Sequence, residues 1–150
     1  MNYLLDTNIL LTYVRDKTAR IRIENTYQFF GKSNKPIISV VTVGELKSIA
    51  KRNYWGLRKL ALLDAILSQL IIIGINAEDI IEKYAEIDTY SQGKLKNNPL
   101  LTTARNMGKN DLWIAATASV TNATLITTDK DFKHLDKTYL KLITVKLTNN

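Results

Sequence analysis

The chain has 150 residues, one histidine, no cysteine, and 21 lysines and arginines against 14 acids, for a formal net charge of +7. Those counts exclude disulfides, thiolate zinc sites, cysteine nucleophiles and a histidine-rich metal centre. The length suits one domain over residues 1–150; with no run approaching the ~20 apolar residues of a membrane span and no basic leader in MNYLLDTN, a cytoplasmic protein with no membrane association is expected.

Residues 3–5 form a short apolar strand, and residues 7–16 place Ile9, Leu10, Tyr13 and Val14 at helical spacing. A second helix is expected over 20–30, closed by Gly31, before Pro36 opens the strand PIISV. Thr42 is expected to start a third helix, because TVGE fits a capping box. A fourth, over 55–69, carries an inner stripe of Leu60, Leu63, Leu67 and Leu70, and LIIIG then reads as a buried strand. Residues 77–92 return to helical period through Ile80, Ile81, Tyr84 and Ile87, and Gly93 ends them.

The polar stretch 94–109 holds Asn97, Asn98 and Pro99 and is longer than most connections, as functional or mobile loops are. Asn110 is expected to cap the next helix, with Leu112, Ala115, Ala116 and Ser119 on one face. TLITT, a helical turn at DKDFKHL and a final strand in LKLITVKL complete the chain. Strand and helix alternating in this way predict an α/β fold, a three-layer α/β/α sandwich around a mainly parallel sheet.

Four acids stand where an apolar segment meets a strand end or a helix start: Asp6 in LLDTNIL, Glu45 in VVTVGELK, Asp111 in GKNDLWIAA and Asp129 in LITTDKDF. In an open α/β sheet the crevice lies beyond the carboxyl ends of the strands, so acids delivered there can converge. Converging carboxylates repel unless a divalent cation neutralises them. Each acid also has a structural explanation: Asp6 as a helix N-cap, Glu45 as the return half of the Thr42 capping box, Asp111 as a partner of the helix dipole, Asp129 as a turn residue. Four such coincidences at one end of one sheet favour the shared pocket.

The basic residues are clustered. Lys47, Lys51, Arg52, Arg58 and Lys59 lie in the acid-free stretch 46–60, and Lys94, Lys96, Arg105 and Lys109 in a second between Thr89 and Asn110. Such surfaces attract polyanions, although charged helix faces also serve solubility alone. Tyr54 and Trp55 suit base stacking and packing equally, Trp113 suits the core, and His134 suits the surface.

The phrases LLDTNILL, PIISVVTVGELKSIAKRNYWGLRK, MGKNDLWIAATA and TLITTDKDF resemble the corresponding segments of PIN-domain ribonucleases, most closely the VapC-type toxins of toxin-antitoxin pairs. Carried over, the resemblance implies that Asp6, Glu45, Asp111 and Asp129, with Asp131 as a fifth, hold one or two Mg²⁺ or Mn²⁺ ions. Thr7, Asn8, Thr42, Asn110, Thr127 and Thr128 become supporting donors. It implies hydrolysis of RNA by an activated water, leaving a 5′-phosphate and a 3′-hydroxyl, with Lys47, Lys51, Arg52 and Arg105 placed to hold the RNA backbone. It further implies a small antitoxin partner and a homodimer, whose apolar face is expected from the helices between Glu45 and Leu70. One departure is the stretch 93–108, longer than the usual VapC link and carrying ARNMGK. Two other functions fit the same residues: a PIN fold that binds RNA or a partner with little turnover, and a Mg²⁺-dependent phosphohydrolase of small esters. Asn8, two residues after Asp6, argues against the haloacid dehalogenase-like version of the latter, which wants an acid there.

Overall fold

The computed structural model describes residues 1–148. Five strands, β1 (Asn2–Leu5), β2 (Lys35–Ser39), β3 (Ile71–Ile73), β4 (Thr124–Thr127) and β5 (Lys141–Thr144), form one sheet in the order β3-β2-β1-β4-β5. Every pairing is parallel, with Leu4 opposite Ile37 on one side and Leu125 on the other. The helices are α1 (Thr7–Arg15), α2 (Lys17–Tyr27), α3 (Val40–Arg52), α4 (Leu57–Leu67), α5 (Glu78–Ser91) and α6 (Lys109–Val120), with a 3-10 helix at Lys130–Leu135.

Because successive strand residues face opposite sides, the three central strands feed two cores. Tyr3, Leu5, Ile38 and Ile126 pack with α1 to α4 through Ile9, Tyr13, Ile23, Leu46 and Leu63. Leu4, Ile37 and Leu125 pack on the other face with α5, α6 and the 3-10 helix through Ile87, Leu112, Ile114 and Phe132. This is the expected three-layer sandwich. Helix α6 is buried almost all round, and Ala115, Ala116 and Ala118, all fully buried, let it lie close to the sheet. Among the described residues no helix is long and apolar enough to cross a membrane.

Several local expectations shift. Helix α2 begins at Lys17 because Asp16 caps it by accepting from the Ala19 N–H at 2.9 Å. It ends at Gln28, φ 52°, before Gly31, which frees Phe29 to bury against Tyr3 and to stack on Tyr27. Helix α3 starts at Val40 with Ser39 as its cap, so Thr42 sits inside the first turn and there is no capping box. Helix α4 starts at Leu57 and buries Leu63 and Ile66, leaving Leu60 on its outer side. The LIIIG strand is not buried: β3 is the sheet edge, and Ile71 and Ile72 are about half exposed. Helix α6 is preceded by Gly108, not capped by Asn110.

Gly93 ends α5 as expected. Its φ is +70°, its N–H donates to the Tyr90 carbonyl at 2.9 Å, and the Lys94 N–H reaches the Thr89 carbonyl at 3.0 Å. This pair of bonds needs a left-handed residue between them. A Cβ at Gly93 meets only ordinary contacts, so the cost of Gly93→Ala comes from the backbone, about 1 to 2 kcal/mol. Urea denaturation is expected to show that loss; a variant as stable as wild type would contradict the left-handed cap.

Candidate metal centre

The chain runs β1, β2, β3 outward in one direction and then returns to place β4 on the other side of β1. That reversal opens a crevice beyond the carboxyl ends of β1 and β4. Asp6 directly follows β1, and Thr127 and Asp129 end and follow β4. The Asp6 N–H donates to the Ile126 carbonyl at 2.9 Å and ties the two strand ends together. Glu45, in the second turn of α3, and Asp111, in the first turn of α6, complete the set.

Asp6 is 3% exposed, and both its oxygens are held. Oδ1 accepts from the Thr7 N–H at 2.7 Å, as an N-cap does, and Oδ2 accepts from the Thr127 hydroxyl at 2.6 Å. The same Thr127 oxygen accepts from the Asp129 N–H at 2.9 Å, so one buried threonine positions two acids. The Thr7 hydroxyl donates to Glu45 Oε1 at 2.7 Å and lies 3.2 Å from the Thr42 hydroxyl. Glu45 is therefore engaged by a threonine 38 residues away, and its capping-box explanation falls. Asp129 does act as a turn residue as well, capping the 3-10 helix by accepting from the Asp131 N–H at 2.8 Å.

The electrostatics show that the acids share one field. Burial pushes the Asp6 carboxyl up to about 6, with the charges of Glu45 and Asp129 adding to the rise and the Thr127 and Thr7 hydrogen bonds opposing it. Asp111 is likewise raised to about 6, by burial first and then by Asp6, Asp129, Glu45 and Asp131. Both groups therefore resist ionisation, which is the condition a cation relieves.

All the donors are carboxylate and hydroxyl oxygens, the set that suits a hard divalent cation. Among the described residues no three acids close into a ligand shell. Mg²⁺ commonly takes one or two carboxylates and fills its other positions with water, so the donor set fits such an ion. Gly108 was not singled out in the sequence. A Cβ there would lie 3.3 Å from Asp111 Oδ2, so a side chain at this position would press on the acid.

Of the other supporting donors, Asn110 lines a cavity of about 430 Å³ with Glu45, Ser48 and Arg52. Among the described residues Asn8 and Thr128 make no side-chain hydrogen bond to the acids, and both border a further cavity beside Leu11 and Arg15. Among the basic candidates, Arg52 therefore stands at the Glu45 cavity, and Arg105 lines another of about 250 Å³ with Asp111 and Asp131. Lys47 and Lys51 instead border a cleft between α3 and α4 that holds none of the acids.

Trp113 packs against Tyr84 with ring centres 4.2 Å apart, but it is only partly buried and belongs to neither core, short of the core position expected of it. Trp55 is 9% exposed and lies under Arg15 and Lys59, while Tyr54 is 92% exposed. His134, expected at the surface, is half-buried: its Nε2 is 2.8 Å from the fully buried Ser91 hydroxyl, and its ring lies parallel to Tyr90. Burial, and after it the Arg105 charge, lower its pKa. No local pattern marks this pair, which is 43 residues apart.

The PIN domain family profile matches residues 3–138. Ribonuclease VapC2 of Rickettsia felis is 30% identical over 142 residues, which are 94% of this chain and 97% of that protein. Among solved structures, VapBC2 from Rickettsia felis bound to a DNA fragment from their promoter superposes with a TM-score of 0.78 at 28% identity, covering 96% of this chain and 98% of that one. VapBC-1 from nontypeable Haemophilus influenzae has a TM-score of 0.69 at 26% identity, with coverages of 96% and 98%.

Proposed function

From the premise that this chain belongs to the PIN domain family, we propose that it is a divalent-metal-dependent endoribonuclease, a single nuclease domain over residues 1–150 and the toxin of a toxin-antitoxin pair. The observation that carries this reading is the junction of Asp6, Glu45, Asp111 and Asp129 at the switch point between β1 and β4, where burial first and the neighbouring acids after it raise the pKa of Asp6 and of Asp111. The ribonuclease activity named for the Rickettsia felis relative supports it.

In this reading Asp6, Glu45, Asp111 and Asp129, with the exposed Asp131 at the rim, hold Mg²⁺ or Mn²⁺. The ion, when bound, supplies acidification of a water and charge neutralisation on the phosphoryl oxygens. Thr7 and Thr127 fix the carboxylate rotamers of Glu45 and Asp6, as supporting residues of such sites do. The chain has no cysteine, and its one histidine is engaged by Ser91. In this reading water is the nucleophile, as the family resemblance implies: its oxygen bonds to phosphorus, the P–O3′ bond breaks and O3′ takes up a proton, and the products are a 5′-phosphate and a 3′-hydroxyl. The cavities at Glu45 with Arg52 and at Asp111 with Arg105 give the RNA a path past the acids with a cation near each.

The antitoxin reading is supported by the two VapBC complexes. An apolar face for a second copy is supported by Leu57, 87% exposed, beside Tyr54 on the α3–α4 side. The test incubates purified protein with structured and unstructured RNAs in Mg²⁺, Mn²⁺ or EDTA, beside nitrophenyl phosphate, after sizing by light scattering. RNA cut only with metal by a dimer is the expected result. RNA bound but uncut under every metal would replace the reading with a binding module, nitrophenyl phosphate cleaved alone would replace it with a phosphohydrolase, and a monomer would remove the dimer.

A further inference from the structure

The segment between α5 and α6 folds back to line a cavity with Asp111 and Asp131. The Arg105 N–H donates to the Ser91 carbonyl at the end of α5, at 2.8 Å. Ser91 in turn meets His134 on the 3-10 helix that carries Asp131. One side of the resulting cavity is formed by residues 103–108 and the other by Asp111 and Asp131.

Arg105 is half-buried in this wall. Among the described residues its guanidinium has no carboxylate within salt-bridge distance, and its buried Nε has no hydrogen-bond acceptor. An arginine buried for packing ordinarily commits its donors to protein oxygens, since an unmatched buried donor is costly. Nε itself is enclosed, but Arg105 lines the cavity with Asp111 and Asp131 and its guanidinium has no protein acceptor among the described residues; a cation so placed next to a phosphodiester site matches an anionic ligand, and the planar fork suits a phosphate better than a point charge would.

Resting on the ribonuclease reading, we propose that Arg105 is a substrate-binding residue that holds the phosphodiester neighbouring the scissile one, in the cavity between residues 103–108 and the Asp111 and Asp131 carboxylates. The scissile phosphate lies at the acids, and the next linkage along the strand enters this cavity. Arg105 thereby sets the register of the RNA and offsets the repulsion between its backbone and the acids. The segment between α5 and α6 is what carries the arginine there.

The test uses an RNA whose cleavage position the wild type defines, and two copies of it with one uncharged methylphosphonate linkage immediately 5′ or 3′ of the scissile bond. Arg105→Gln is expected to raise KM roughly ten- to a hundredfold on the charged RNA, with Arg105→Lys between. The log–log salt slope of RNA binding should flatten by about 0.7, the value for one single-strand phosphate contact. One of the two neutral linkages should cost the wild type the same factor and cost Arg105→Gln almost nothing more. The Ser91 bond uses the Arg105 backbone, so the thermal midpoint of Arg105→Gln should match wild type. If wild type cuts RNA and Arg105→Gln keeps its KM and salt slope, or both neutral linkages weaken the variant as much as wild type, the assignment is overturned alone. If wild type cuts no RNA, the ribonuclease reading falls and the assignment with it.

Discussion

Asp6→Asn is expected to cut RNA cleavage by roughly 10² to 10³, the scale of losing one preorganised charged group at such a site, while making the metal-free protein more stable at neutral pH. The two effects have one cause. The Asp6 carboxyl ionises at about 6 in the folded chain against an ordinary value of 3.8, so the folded state favours its neutral form. Stability from this group is complete below pH 3.8 and is lost as pH rises through about 6; above that, a charge is kept buried. Two pKa units correspond to roughly 3 kcal/mol. Asparagine stays neutral at every pH and can keep the Thr7 bond. Urea denaturation in EDTA should therefore show wild type weakening between about pH 4.5 and 7.5, the variant changing less, and the variant ahead at the upper end. Asp111→Asn should move in the same direction by less, because Asp111 is only partly buried and solvent screens it. A variant that still cuts within about tenfold of wild type would remove Asp6 from the metal-holding set; one less stable than wild type at neutral pH would show that the Thr127 bond, which asparagine cannot accept, outweighs the buried charge.

Phe132→Ala should destabilise the protein by about 3 to 5 kcal/mol, the usual cost of deleting a fully buried phenylalanine, and should lower cleavage further than its unfolded fraction explains. Phe132 has no exposed surface and packs with Leu125, Leu112 and Leu135. It is also the next residue after Asp131, in a six-residue 3-10 helix capped by Asp129. Such short helices have little stability of their own, so the insertion of Phe132 and Leu135 into the core is what anchors the turn that presents two acids. Phe132→Leu keeps most of that anchor and should lose a fraction of both properties. Cleavage measured well below the melting point of each variant separates the two effects: a folded Phe132→Ala with wild-type turnover would show that burial of Phe132 does not position Asp129.

The alternation of strand and helix, the apolar positions that face the two cores and the four acids at element ends are properties of short windows. Period-2 and period-3.6 patterns and cap residues act within about four positions along the chain. For that reason the layered parallel fold is legible in the sequence, and so are Asp6, Glu45, Asp111 and Asp129 as candidates. Even so, Ser39 displaced Thr42 as the α3 cap, because both residues have the same local credentials and only the end of β2 decides between them.

What the tertiary structure alone decided are relations between distant residues. Thr127 reaches Asp6 across 121 positions, and Thr7 reaches Glu45 across 38. Position in the sheet made β3 an exposed edge where its composition, III, reads as core. Ser91 drew His134 inward, and the 94–108 segment put Arg105 beside Asp111 and Asp131 with its buried Nε unmatched. Local sequence determines which conformation each segment prefers and which face is apolar. Which polar groups meet, and which are left to find a ligand, depends on how the segments are stacked, and no short window of sequence carries that information.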